Sequence, residues 1–235
     1  MPRQKIVELS ATPIPVHHIK ELGKVAFGDN IGNQSTEWLV QARTDGGLEG
    51  VTIANRFMQQ FNGFESSIGT VRGLVPLLRE VFLGRRVDEL LEVSEGRVVG
   101  VREAHKKTFW AHGWMSILAF DLLGQEMGVS CIELLGGQVR DRVRAYDTTF
   151  FYQDILNPEM GAGQVAAEAS ASRKHGYTAF KLKVGRPGRW FAAQAGLERD
   201  VEVVTAVREA VGPDARIMVD WDDSGIDFTG RGLAT

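Results

Sequence analysis

Ala179-Phe180-Lys181-Leu182-Lys183-Val184 is the stretch from which the rest of this chain can be read. It is apolar apart from two lysines at alternate positions, and it reads as a buried strand. Every second side chain of a strand shares a face, so Lys181 and Lys183 point the same way. A second run of this kind, Ile217-Met218-Val219, leads into Asp220-Trp221-Asp222. There Asp220 and Asp222 share a face by the same rule. Two cations on one strand beside two carboxylates on the next make a setting for acid–base chemistry next to a metal ion.

The flanking pattern says how these strands are joined. Residues 197–211 are helical in period, with Val201, Val204 and Val207 on one face and Gly212-Pro213 as the stop. Upstream, residues 164–174 form an Ala-rich helix closed by His175-Gly176, and residues 143–149 read as another strand. Strand, helix, strand, helix, strand at this spacing means two right-handed βαβ units and a parallel sheet. In such sheets the reactive groups lie at the carboxyl ends of the strands, where Lys183 and Asp220 fall.

A lysine held there beside a second lysine has its charged form disfavoured by desolvation and like charge, and can serve as a base near neutral pH. A carboxylate on the adjoining strand end suits Mg²⁺, a hard cation that prefers oxygen. Together they fit removal of a proton α to a carboxylate, with the resulting enolate stabilised electrostatically. A Lys-x-Lys pair is also what a solvated edge strand carries. Asp222 and Asp223, ahead of Ser224-Gly225, also have the look of turn residues.

The N-terminal half has a different rhythm. Residues 5–19 alternate and contain Pro13 and Pro15, as an edge strand tolerates. Residues 20–36 are glycine- and asparagine-rich and read as a loop. Residues 38–43 alternate again, Thr44-Asp45-Gly46-Gly47 marks a hairpin turn, and residues 48–54 return. Helical segments follow. Val71, Leu74, Val75, Leu77, Leu78 and Val81 line one face, and residues 87–93 form a short segment after it. Residues 109–126 are apolar nearly all round, which predicts a buried helix. Residues 1–130 are thus expected to form an α+β domain, and residues 140–235 an α/β domain with about three strands.

The bulk numbers exclude several classes. The chain has 235 residues, 43% hydrophobic and 24% charged, with a net charge of −3. Nothing in that balance favours nucleic acid. No apolar run approaches the ~20 residues of a membrane span, and the N-terminus leads into a strand and not an apolar signal core. The expected location is the cytoplasm. Cys131 is the one cysteine, which precludes an internal disulfide, and its flanks predict a buried inert thiol. His17 and His18 face opposite ways on a strand, and His105, His112 and His175 have no partner at metal-ligand spacing. Gly161-Ala162-Gly163 lacks the third glycine of a phosphate-binding loop and does not directly follow a strand.

Five segments, in order, resemble the enolase superfamily, specifically its mandelate racemase/muconate lactonizing enzyme branch. Thr44-Asp45-Gly46-Gly47-Leu48-Glu49-Gly50 is similar to the hairpin of that branch's capping domain. Ala119-Phe120-Asp121-Leu122-Leu123-Gly124-Gln125, continuing to Leu134-Leu135-Gly136-Gly137, resembles the junction between helix and barrel. Tyr177-Thr178-Ala179-Phe180-Lys181-Leu182-Lys183 resembles the strand with paired lysines. Glu198-Arg199-Asp200, continuing to Val211-Gly212-Pro213-Asp214-Ala215, is similar to the helix and turn after it. Ile217-Met218-Val219-Asp220 resembles the strand ending in the first metal ligand.

The resemblance implies a fold and a chemistry. The fold is an α+β capping domain followed by the first part of a (β/α) TIM-type barrel. The chemistry is Mg²⁺-assisted removal of a proton α to a carboxylate, in a lyase or isomerase. Lys183 would be the general base, Lys181 its electrostatic partner and Asp220 a metal ligand. Asp222, where many members carry Asn, would be a second ligand. The loop around residues 27–33 matches the capping loop that shapes substrate selection. Acid-sugar dehydration is preferred over racemisation or epimerisation, with a small carboxylate such as an acid sugar as substrate.

The remaining family ligands lie on later barrel strands. A TIM barrel takes about 250 residues, whereas fewer than about 100 follow Gly137. The barrel is therefore expected to be incomplete in this chain, with weak or absent Mg²⁺ binding and negligible turnover by the isolated polypeptide. The tail, residues 226–235, also departs from the expected helix after the third strand. An alternative reading is a truncated, catalytically inactive product that serves in interactions or as half of a split enzyme. A second copy of the chain or a complementing barrel fragment would then pair with its open sheet edge.

Overall fold

The structure, a computed structural model, describes residues 4–24, 32–54, 71–188 and 190–221. The loop around residues 27–33 lies largely outside them, as do Asp222 and the tail at residues 226–235. The chain divides into two compact units, Met1–Val16 with Thr36–Asp141, and His17–Ser35 with Arg142–Thr235.

The N-terminal sheet has the order β1-β2-β3, with β1 Ile6–Leu22, β2 Gly32–Thr44 and β3 Glu49–Ala54, and the first unit is built on residues 6–16 of β1, 36–44 of β2 and all of β3. β1 and β2 run further than their sequence patterns suggest, so the expected loop at 20–36 is in part strand. β2 and β3 are antiparallel, from Arg43 opposite Glu49 to Trp38 opposite Ala54. Thr44 closes the hairpin by accepting from Gly47 N at 3.0 Å, with Gly47 at φ +86°. That backbone angle is one that glycine adopts without strain.

Alternation puts Gly50, Thr52 and Ala54 of β3 on the buried face. They pack on α3, Trp114–Met127, which follows α1 (Val71–Phe82) and α2 (Glu103–Ala111). Leu118 and Leu122 of α3 fill the space that a side chain at Gly50 would need. Two polar contacts fix the register of helix on strand. Val51 N donates to Asp121 Oδ2 at 2.9 Å, and Gln125 Nε2 donates to the Glu49 carbonyl at 2.7 Å.

Three expectations need correction in this unit. The apolar stretch at 109–126 is not one buried helix. It breaks at His112-Gly113, and Trp110 and Ile117 are 88% and 58% exposed. α3 buries only the side that carries Met115, Leu118, Ala119, Leu122 and Leu123. Cys131 is exposed, because the short α4 (Cys131–Leu134) turns Leu134 inward instead. Ser130 and Glu133 cap that turn reciprocally: Ser130 N donates to the Glu133 carboxylate at 2.7 Å and Glu133 N donates to Ser130 Oγ at 3.3 Å. Finally, β4 (Leu91–Ser94) and β5 (Arg97–Val101) form an unanticipated hairpin. Its turn places Glu95 at φ +50° and Gly96 at φ +78°. Both central residues are left-handed, as a tight hairpin turn demands, but Glu replaces the usual Asn or Asp.

The second unit holds a parallel sheet of order β6-β7-β8: β6 Asp147–Phe150, β7 Ala179–Val184 and β8 Arg216–Trp221. β6 is shorter than the expected 143–149 strand and starts later. α5 (Gln153–Leu156) and α6 (Ala162–Lys174) connect β6 to β7, and α7 (Ala193–Val211) connects β7 to β8. Phe150, Phe180 and Leu182 from the sheet pack against Val165 and Ala169 of α6 and Val203, Val207 and Val211 of α7. That apolar side commits the opposite side of β7 to the lysines.

Candidate active site

β7 sorts its side chains cleanly. Phe180, Leu182 and Val184 are buried, while Lys181 and Lys183 are half-buried on the other face. The parallel register sets Lys183 opposite Asp220 and Lys181 opposite Met218. Lys181 Nζ and Lys183 Nζ each lie 2.8 Å from the same oxygen, Asp220 Oδ2. One carboxylate thus bridges two ammonium groups at the carboxyl end of the sheet. Hydrogen bonds from Lys181 and then Lys183 hold the Asp220 carboxyl below the usual aspartate range, against a smaller opposing effect of burial.

Such a cluster can bind an anion at the lysines, hold its carboxylate by charge, and move a proton through an amine. Asp222, the other expected acidic residue here, lies outside the described residues. None of the histidines joins the site. His17 is exposed, His18 is half-buried, and His112 is buried in the first unit.

Residues 164–224 match the family described as enolase C-terminal domain-like. The match takes in α6, β7, α7 and β8, and so contains all three site residues. Over that stretch the chain is similar to the enolase C-terminal domain-like family. It is 38% identical over 106 residues to a D-galactarolactone cycloisomerase of Agrobacterium fabrum, a stretch covering 45% of this chain and 25% of that protein. A D-gluconate/D-galactonate dehydratase of Picrophilus torridus is 28% identical over 129 residues, 51% of this chain and 32% of that one. Among solved structures, a mandelate racemase/muconate lactonizing protein from Geobacillus sp. Y412MC10, complexed with magnesium and tartrate, superposes with a TM-score of 0.69 at 22% identity. It covers 94% of this chain and 52% of that one, and the likeness is one of fold. The chain spans about half the length of that solved chain, and its matches take in a third or less of those two curated relatives.

Magnesium can be weighed against the residues in place. Among the described residues, no three of His, Cys, Asp and Glu converge as a metal would need. Asp220 contributes one carboxylate, and its Oδ2 already accepts from two ammonium groups. Mg²⁺ seeks near-octahedral oxygen coordination and gives up water reluctantly. The described residues therefore do not make a tight magnesium site.

Two further acidic residues of this unit were not among the expected site residues. Asp154 and Asp200 are buried, and both pair with Arg186, which is 1% exposed. A visible signal existed for Asp200 alone, which falls on the same helical face as Val203, Val207 and Val211.

Proposed function

We propose that this chain carries the base-bearing part of an enolase-superfamily site that abstracts a proton α to a carboxylate. Lys183 Nζ takes the proton, and Lys181 Nζ holds negative charge on the substrate carboxylate. Asp220 sets the spacing of the two amines. The observation that carries this reading is the pair of 2.8 Å contacts from both lysines to one Asp220 oxygen, at the mouth of a parallel sheet. The first unit serves as the capping domain, and the second as a partial (β/α) barrel.

Mg²⁺ dependence belongs to the complete family site, with Asp220 and Asp222 as ligands alongside groups that the described residues do not supply. The curated relatives include sugar-acid dehydratases and a racemase. On that basis the preferred substrate is an acid sugar undergoing dehydration, in the cytoplasm. A second reading, an interaction protein or one half of a split enzyme, is favoured by one feature. β8 has a single strand neighbour among the described residues, and Val219 and Trp221 are 57% and 48% exposed on it.

The test is α-proton exchange in D₂O, followed by proton NMR on galactonate and gluconate with Mg²⁺. It is run on the chain alone and on the chain co-expressed with the C-terminal barrel strands of the Picrophilus dehydratase. Exchange is expected only in the complemented sample. Lys183→Ala should lower it by about 10²–10⁴-fold, the usual contribution of a general base. Exchange that survives Lys183→Ala overturns the assignment of the base. No exchange in either sample favours the second reading.

A further inference from the structure

The exit of β7 is held by side chains. Backbone groups of four successive residues there find partners in three buried residues. The Lys183 carbonyl accepts from Arg186 Nη1 at 3.2 Å, and the Val184 carbonyl accepts from the Tyr152 hydroxyl at 2.8 Å. Gly185 N and Arg186 N both donate to Asp200 Oδ2, at 2.9 and 3.3 Å.

The three side chains are themselves locked together. Arg186 presents a fork to Asp154, with Nε to Oδ2 at 2.9 Å and Nη2 to Oδ1 at 2.7 Å. Its Nη1 also reaches Asp200 Oδ1 at 2.5 Å. The guanidinium lies 4.9 Å from the centre of the Tyr152 ring, and Trp190 packs on that ring 4.4 Å away. α7 closes in from one side, leaving no room for a Cβ at Gly196 beside Pro187.

A guanidinium flanked by two carboxylates in the interior carries high desolvation costs for all three groups. An apolar packing of the same volume would generally serve stability as well or better. What the charged version adds is direction: a planar fork with fixed donor angles, aimed at two carboxylates and one backbone carbonyl. That carbonyl belongs to Lys183.

We propose that Arg186, braced by Asp154 and Asp200, is the positioning residue of Lys183. It fixes the backbone from which the amine projects toward Asp220. The functional meaning of this rests on Lys183 being the base, but the positioning itself does not. It can be read without any turnover.

The experiment is competitive trace acetylation of the full-length chain, mapped by peptide mass spectrometry. Lys183 is compared with Lys107, which is exposed, and with Lys20, which is ion-paired to Glu168 in the same unit. Arg186→Lys keeps the charge and loses the fork. In variant protein with a native near-UV spectrum, acetylation of Lys183 should rise severalfold while Lys20 and Lys107 stay unchanged. An unchanged Lys183 ratio in that folded variant overturns the proposal. So does a parallel rise at Lys20, which would mean general loosening.

Asp154→Asn, which weakens the brace and spares the bond to the Lys183 carbonyl, should give a smaller rise. If neither variant folds, the cluster is a stability element only and positioning is refuted. In the complemented exchange assay, Arg186→Lys should cost about 10–100-fold in kcat with KM held, as expected for a misplaced reacting group. Retained exchange in Lys183→Ala would remove the base assignment and leave the acetylation result standing. The two failures are thereby separable.

Discussion

Asp220 is where most of the site's charge is balanced. Two ammonium groups within hydrogen-bonding distance of one oxygen repel each other, and the carboxylate offsets that repulsion. Both pairs are half-buried, so their worth lies between the near-zero of exposed ion pairs and the 3–5 kcal/mol of fully buried ones. Asp220→Asn should therefore cost about 1–2 kcal/mol in urea unfolding at pH 7. The pH dependence gives a sign. An aspartate held below its ordinary value of about 3.9 adds stability above that pH. The gain is lost as pH falls through the lowered value. The unfolding curves of the native chain and Asp220→Asn should thus converge in acid, and a gap that persists there would contradict the ion-pair account.

His112 works in a higher pH range. Burial pushes its imidazole below the ordinary value, so the fold prefers it neutral. The unfolded chain takes up a proton near pH 6.5. Stability should decline as pH falls from 7.5 to 5.5, and urea midpoints of His112→Leu should decline less. Equal slopes would show that His112 is not the group responsible.

At the scale of elements, β7 and β8 were legible because alternation, flanking helices and chain breaks all agreed on them. Lys181 and Lys183 could share a face only if residues 179–184 formed a strand, and they do. The break between α2 and α3 was not legible. His112-Gly113 lies inside a largely apolar stretch, and a single glycine is tolerated within a helical pattern. The β4–β5 hairpin was hidden for a local reason, the Glu at its first left-handed position. Arg186 escaped because a single arginine carries no period, and its meaning appears only when Asp154 and Asp200 arrive from two helices.

The packing of α7 on the β7 exit supports a sharp prediction. A Cβ built at Gly196 lies 2.6 Å from Pro187 N and 2.7 Å from its Cα, and backbone cannot swing aside as a side chain can. Alanine would gain up to about 1 kcal/mol in helix propensity over glycine. Overpacking against a fixed backbone costs about 1–3 kcal/mol, so the clash should win. Gly196→Ala is expected to lower the thermal midpoint. A raised midpoint would mean that the 185–188 turn yields more easily than its hydrogen bonds suggest.

For the molecule as a whole, the second unit buries one layer of its sheet well and leaves another part open. Residues of β7 on the apolar face are covered by α6 and α7, whereas Val219 and Trp221, aligned with Leu182 and Val184, stand largely exposed. An apolar strand with one neighbour is a template for further pairing. The chain should therefore associate in a concentration-dependent way when purified alone, as read by size exclusion with light scattering.

Charge on that strand should suppress the effect without touching the opposite face, where Lys183 and Asp220 meet. Val219→Lys combined with Trp221→Lys is expected to shift the distribution toward monomer. Adding the complementing barrel fragment should do the same to the native chain by covering the strand. If the double variant associates as strongly as the native chain, β8 is not the adhesive surface. The exposed Trp110 and Ile117 of the first unit would then be the next place to put a charge.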